Sequence, residues 1–180
     1  MIRTIGAVAA VALTLGACAP AAETAEAPRP RQFSQPIFDA QGRNVGTVTA
    51  MQEGTQVRVR VAAMGMPAGV HGAHLHAVGR CDGPDFATAG PHLNPTNRQH
   101  GMRNPNGPHL GDLPNLTVGS DGRGTLEATL AATLIPGQAP LFDADGTSFV
   151  VHAAADDMVT DPSGNSGARI ACAIMAAPVQ

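Results

Sequence analysis

The stretch Gln56-Val-Arg-Val-Arg-Val61 alternates apolar and charged side chains with a period of two. That is the pattern of a strand with one face buried and one face wet. Thr47 to Met51 offers it a partner across the turn Gln52-Glu-Gly-Thr55, which makes a hairpin. The scheme recurs in Leu116-Thr-Val, the turn Gly119-Ser-Asp-Gly-Arg-Gly124 and the run Thr125-Leu-Glu-Ala-Thr-Leu-Ala. Ser148 to His152 is a short, apolar, β-branched run. Past the N-terminal leader no segment has amphipathic helical periodicity. Strands joined by Gly, Asp and Pro turns predict an all-β chain, an antiparallel sandwich or flattened barrel. With five Phe and neither Trp nor Tyr, its core must be filled by Val, Leu, Ile, Met and Ala.

Two stretches do not read as strands, Ala77 to Pro114 and Ala153 to Gly167. Loops of this length in a compact domain are usually functional, and this pair holds most of the candidate metal donors. His74 and His76 flank Leu75, and positions two apart on a strand face the same way, so both imidazoles can reach one ion while Leu75 points to the core. His92, His100, His109, Asp112 and His152 follow in order. Imidazole suits copper and zinc, and one carboxylate completes a zinc tetrahedron. His71 lies one residue off the His74/His76 alternation and is expected to face the other side of a regular strand.

These residues also carry a family resemblance. Gly69-Val-His-Gly-Ala-His-Leu-His76, Ala89-Gly-Pro-His-Leu-Asn-Pro95, His109-Leu-Gly-Asp112-Leu, Val-Val-His152 with Asp156-Asp157, and Gly164-Asn-Ser-Gly-Ala-Arg169-Ile-Ala-Cys172 together resemble copper/zinc superoxide dismutase, from about residue 40 to the C-terminus. The close of the chain, Asp156 to Gly167, is similar to the short bacterial, periplasmic form. The resemblance implies a Greek-key antiparallel β-sandwich or flattened barrel with two long functional loops, spanning residues 37–180. It implies copper on His74, His76, His92 and His152, and zinc on His92, His100, His109 and Asp112, with His92 shared. It makes Asp156 the carboxylate that accepts hydrogen bonds from His74 and His100, and His71 a structural histidine bonded to backbone. It places Arg169 beside copper, where a fixed cation docks the superoxide anion, and gives His92 a part in proton delivery as copper cycles between Cu(II) and Cu(I). Ala73, Ala173 and Met158 depart from common family residues without removing a donor. A homodimer is compatible with the resemblance, but the strand pattern identifies no interface.

The N-terminus reads as an export signal. Residues 1–18 hold one charged residue, Arg3, an apolar run from Ile5 to Leu15, and small residues before Cys18. The run is too short to span a bilayer. Leu15-Gly-Ala-Cys18 resembles a bacterial lipobox in which the cysteine is lipidated; the alternative is an ordinary signal peptide with an incidental cysteine. Ala19 after Cys18, rather than Asp, points by the same resemblance to the periplasmic face of the outer membrane. Residues 19–36, rich in Ala, Pro and Glu, read as a tether. Cys81 and Cys172 then remain, 91 positions apart in a chain bound for an oxidising compartment, and fit one disulfide; two free thiols are the alternative.

A formal net charge of −3, without a lysine, excludes the basic field that nucleic acid would require. Rival readings are a non-enzymatic copper-delivery domain, a copper-only dismutase and an unrelated secreted adhesion sandwich. The first would lack Arg169, His92 or a copper histidine, the second would lack His100, His109 and Asp112, and for the third the donors would be coincidence.

Overall fold

The computed structural model describes residues 32–132, 134, 141 and 146–175. The export signal, Cys18 and most of the proposed tether lie outside the described residues. Nine strands run in the order β1 (Gln32–Asp39), β2 (Asn44–Glu53), β3 (Gln56–Met64), β4 (Gly69–His71), β5 (Ala73–His76), β6 (Leu116–Val118), β7 (Arg123–Leu130), β8 (Thr147–His152) and β9 (Arg169–Met175). All pair antiparallel in one sheet of spatial order β4-β6-β7-β3-β2-β1-β9-β8-β5. The two outermost strands, β4 and β5, are consecutive in the chain and separated only by Gly72, so the sheet curls into a nearly closed barrel. No helix among the described residues is long and apolar enough to cross a membrane.

The alternation in β3 sorts as expected. Val57, Val59, Val61 and Ala63 are buried. Arg58 projects outward between Glu53 and Glu127, each 2.7 Å away, and Arg60 reaches Glu127 at 3.0 Å. Such exposed pairs add little stability; the inward valines provide the driving force. The expected hairpin is β2–β3, extended to register Gly46↔Ala63 through Glu53↔Gln56.

β1 begins at Gln32 and pairs Gln32–Ile37 with β2, so residues 32–36 of the stretch that reads as a tether belong to the sheet instead. Only Ile37 of this strand is fully buried, so the hydrophobic pattern is faint. Pro36 is tolerated because, among the described residues, β9 pairs with β1 at Phe38 and Asp39 and not at the earlier positions.

β5 and β8 are buried along their whole length. Leu75 and Phe149 pair across the two strands, both fully buried in the barrel core. On the opposite face stand His74, His76, Val150 and His152, and the two long loops cover that face. A short 3-10 turn, Ala87–Ala89, lies in the first loop. Phe86, Ala89, Val150 and Cys172 form a second apolar cluster there, with Cys81 against it. Cys81 and Cys172 are joined as a disulfide, Cα–Cα 5.7 Å, which fastens the first loop to β9.

Because that bridge closes a 91-residue separation, its removal is expected to cost about 2 to 5 kcal/mol. Reduction should therefore lower the melting temperature by several degrees or more. Differential scanning calorimetry with and without reductant is the check, and equal melting temperatures would contradict it.

Candidate metal centre

The donors come from loops and strands, and the backbone of β5 brings them together. Leu75 N–H donates to the Gly111 carbonyl (2.8 Å), its own carbonyl accepts from Leu93 N–H (2.8 Å), and Gly111 N–H donates to the Leu93 carbonyl (2.9 Å). Two loop segments thus pair with the free edge of β5, setting Asp112 opposite His74 and His92 opposite His76. Gly111 is required for this approach, since a Cβ there would overlap the Leu75 carbonyl oxygen.

Four imidazole nitrogens face one another with no hydrogen-bond partner: His74 Nδ1, His76 Nε2, His92 Nε2 and His152 Nε2. Donor atoms of these residues all lie within 4.8 Å of each other. In each ring the other nitrogen is engaged. His74 Nε2 donates to Asp156 Oδ2 (2.8 Å), His76 Nδ1 to the Gly90 carbonyl (2.8 Å) and His152 Nδ1 to the Gly167 carbonyl (3.0 Å). His92 Nδ1 turns to Asp112 Oδ1 (3.0 Å). Buried unpaired nitrogens are costly, and four aimed at one point make a ligand set of the kind that suits Cu(II).

The second cluster is built on Asp112. Its Oδ1 faces three Nδ1 atoms, His92 and His100 at 3.0 Å and His109 at 3.3 Å, and His109 Nδ1 is 3.5 Å from His92 Nδ1. A tetrahedron with ligands about 2 Å from zinc has edges of about 3.3 Å, so these spacings fit zinc. Asp112 Oδ2 is anchored separately by the N–H groups of Gly101 (2.8 Å) and His109 (3.0 Å). Donor atoms of His74 also lie within 4.8 Å of those of His92, His100 and Asp112. His74 nonetheless belongs to the first set, because its Nε2 is held by Asp156 and its free Nδ1 faces the copper-type donors.

Asp156 connects the two sets, accepting from His74 at Oδ2 and from His100 Nε2 at Oδ1 (3.0 Å). Such carboxylates fix tautomer and ring orientation. Gly164 leaves room for it; with φ +62°, a Cβ there would overlap Asp156 Oδ1.

Electrostatics differ between the clusters. Burial pushes His76 down to about 2 and His92 and His152 down to about 4. These rings are neutral at pH 7, with lone pairs ready for a metal. Burial also acts against the charge on His100, but hydrogen bonds to Asp112 and Asp156 outweigh it and push this ring up to about 9. His100 thus stands between two carboxylates that favour its protonated form. Asp112 and Asp156, which burial alone would raise, are held well below the ordinary carboxylate range by hydrogen bonds from His100 and from His92 or His74.

Arg169 lies beside the first cluster, its Nη1 donating to the Phe86 carbonyl and its Nη2 to the Gly90 carbonyl, both 2.7 Å. The Gly90 oxygen thus receives both Arg169 and His76. Phe86 and Gly90 belong to the loop that the disulfide fastens, so the bridge helps to place the guanidinium.

His71 stands apart from the donors, its ring nitrogens 2.8 Å from the His152 carbonyl oxygen and 3.0 Å from that of Pro67. It bonds to backbone as expected, for a different reason: the chain breaks strand pairing at Gly72, so His71 belongs to β4 and not to the strand of His74. Sequence reasoning missed Asn115, which clamps the Asp156 backbone by donating Nδ2–H to its carbonyl and accepting its N–H at Oδ1, both 2.9 Å. It also missed Asp161, whose Oδ1 accepts His100 N–H at 2.6 Å. Asp157 forms a turn, accepting N–H bonds from Val159 and Thr160.

Comparison with known proteins agrees with this geometry. Residues 44–175 match the family model described as copper/zinc superoxide dismutase. The chain is 37% identical over 144 residues to superoxide dismutase [Cu-Zn] 1 of Aquifex aeolicus, covering 77% of this chain and 84% of that protein. It is 39% identical over 141 residues to the superoxide dismutase-like protein YojM of Bacillus subtilis, covering 76% and 71%. The crystal structure of a SOD-like protein from Bacillus subtilis superposes with a TM-score of 0.73 at 38% identity, covering 79% of this chain and 97% of that one. On its sequence, its fold and its paired histidine clusters, this chain belongs to the copper/zinc superoxide dismutase family.

Proposed function

We propose that this chain dismutates superoxide in the bacterial periplasm, two superoxide anions and two protons giving dioxygen and hydrogen peroxide. The observation that carries the reading is the set of four partnerless nitrogens next to a half-buried arginine. Copper on His74, His76, His92 and His152 would supply one-electron chemistry by alternating between Cu(II) and Cu(I). Zinc on His92, His100, His109 and Asp112 would make a closed, four-coordinate site of the structural kind.

The chain's own residues do the rest. Arg169 lines an open cavity of about 610 Å³ with Gly90, Pro91 and Gly167, and its guanidinium docks the small anion there. Because Gly90 O accepts from both Arg169 and His76, the docking cation is in register with a ring of the copper set. His92 can take a proton on Nε2 and hand it to the departing peroxide, while Nδ1 stays with the zinc set. Asp156 keeps His74 and His100 oriented through the cycle.

Arg169 touches neither donor set in this scheme. Arg169→Ile should leave one copper and one zinc per chain by elemental analysis while lowering kcat/KM for superoxide about ten- to a hundredfold, about 1.4 to 2.8 kcal/mol. The wild-type rate should also fall more steeply with ionic strength than the variant's. A variant with wild-type rate and salt dependence would remove Arg169 from the docking role.

His100 supplies a pH dependence. Its metal-free ring is pushed up to about 9, so at pH 7 zinc must displace a proton from it, and above about pH 9 it need not. Calorimetry in buffers of different ionisation enthalpy should show about one proton released per zinc at pH 7, declining toward zero as pH rises through 9. Release that does not decline over that range would contradict the scheme.

The address is part of the proposal. The export segment, Cys18 in its lipobox-like setting and Ala19 support a mature protein lipidated at Cys18 and tethered to the periplasmic face of the outer membrane. Membrane fractionation should find the wild type with the membrane and Cys18→Ala soluble or unprocessed; a wild type that is soluble after export would refute the anchor.

A further inference from the structure

Two cavities flank the metal centre. The one over Arg169 includes no member of the zinc-type set in its lining. The other, of about 520 Å³, is lined by His92 and His109 together with Asn94, Asn97, Arg98 and Asp161. His100 and Asp112 side chains are fully buried, whereas His92 and His109 keep 5% and 7% exposure. The second cavity therefore borders the two members of the zinc-type set that retain any contact with solvent.

Its charged groups are placed for a cation. Asp161 is half exposed, with Oδ1 3.9 Å from His109 Nε2, the ring nitrogen that does not face Asp112. The same oxygen accepts His100 N–H at 2.6 Å, which fixes the carboxylate between two residues of the cluster. Arg98 lines the same cavity, tied back by its Nη2 bond to the Gly107 carbonyl (2.7 Å), and imposes the opposite field.

We propose that this cavity is the port by which zinc enters and leaves the centre, with Asp161 as the docking carboxylate and Arg98 as the opposing charge. A dication held at Asp161 lies next to His109 and has only a short move inward to Asp112 and His92. The proposal rests on the assignment of zinc to His92, His100, His109 and Asp112.

The test is zinc uptake by the metal-free protein, followed by stopped flow against a zinc-binding dye at several ionic strengths. Asp161→Asn keeps an acceptor for His100 N–H and removes only the charge. It should slow uptake about three- to tenfold at low salt, with the gap closing as salt screens the field. Arg98→Gln should speed uptake by a similar factor, and copper uptake by the zinc-loaded protein should be unchanged in both. Uptake by Asp161→Asn at the wild-type rate would overturn the port, as would unchanged uptake with faster release, which marks a carboxylate that only positions His100. Failure of the wild type to take up zinc would overturn the zinc assignment, and the port with it.

Discussion

Four imidazole nitrogens are buried at the centre of this molecule with nothing to bond to, and each such group costs about 1 to 3 kcal/mol when left unsatisfied. The remaining ring nitrogens of the same histidines are hydrogen-bonded to backbone or carboxylate oxygens, so rotating a ring away would break an interaction to relieve another. A bound metal would give all four nitrogens a partner, donor atoms of their residues already lying within 4.8 Å of one another. Burial holds His76, His92 and His152 neutral, which is the form a metal needs. The fold thus presents a set of neutral donors suited to an ion.

The residues of the centre are gathered by ordinary strand pairing. β5 is an edge strand whose outer edge is taken up by Leu93 and Gly111, and that pairing brings His92 and Asp112 against His74 and His76. Elsewhere the loops are tied down at particular points: Asn115 clamps Asp156, Arg103 Nη2 donates to the Asp157 carbonyl at 2.6 Å, and the disulfide fastens the loop that brackets Arg169. The barrel supplies a rigid floor, and the loops, tied to it at these points, supply chemistry.

Much of this was legible in the sequence because its physics is local. β3 announces itself through the valine–arginine alternation, since its outer face is wet; the His74/His76 pair follows from the same period of two. β1 is faint in the sequence because Ile37 alone of its side chains is fully buried, so no run of alternating buried side chains marks it. The break at Gly72 was not legible, as the chain on both sides reads as one extended run, and the two halves pair with different neighbours, β6 and β8. Asn115 and Asp161 escaped notice for another reason. Their roles depend on partners 41 and 61 positions away, and nothing in their local sequence marks an asparagine or aspartate as engaged. The glycines at 111 and 164 are likewise explained only by what would collide with a side chain there.

The central claim is that one imidazole, His92, belongs to both clusters, with Nε2 in the copper set and Nδ1 in the zinc set. Electron paramagnetic resonance of protein loaded with Cu(II) and with Co(II) in place of zinc tests this most directly. A shared imidazole couples the spins of the two ions, so the copper signal should be strong with zinc and largely lost with cobalt. A copper signal that persists at full intensity with both ions bound would show two independent sites and contradict the account.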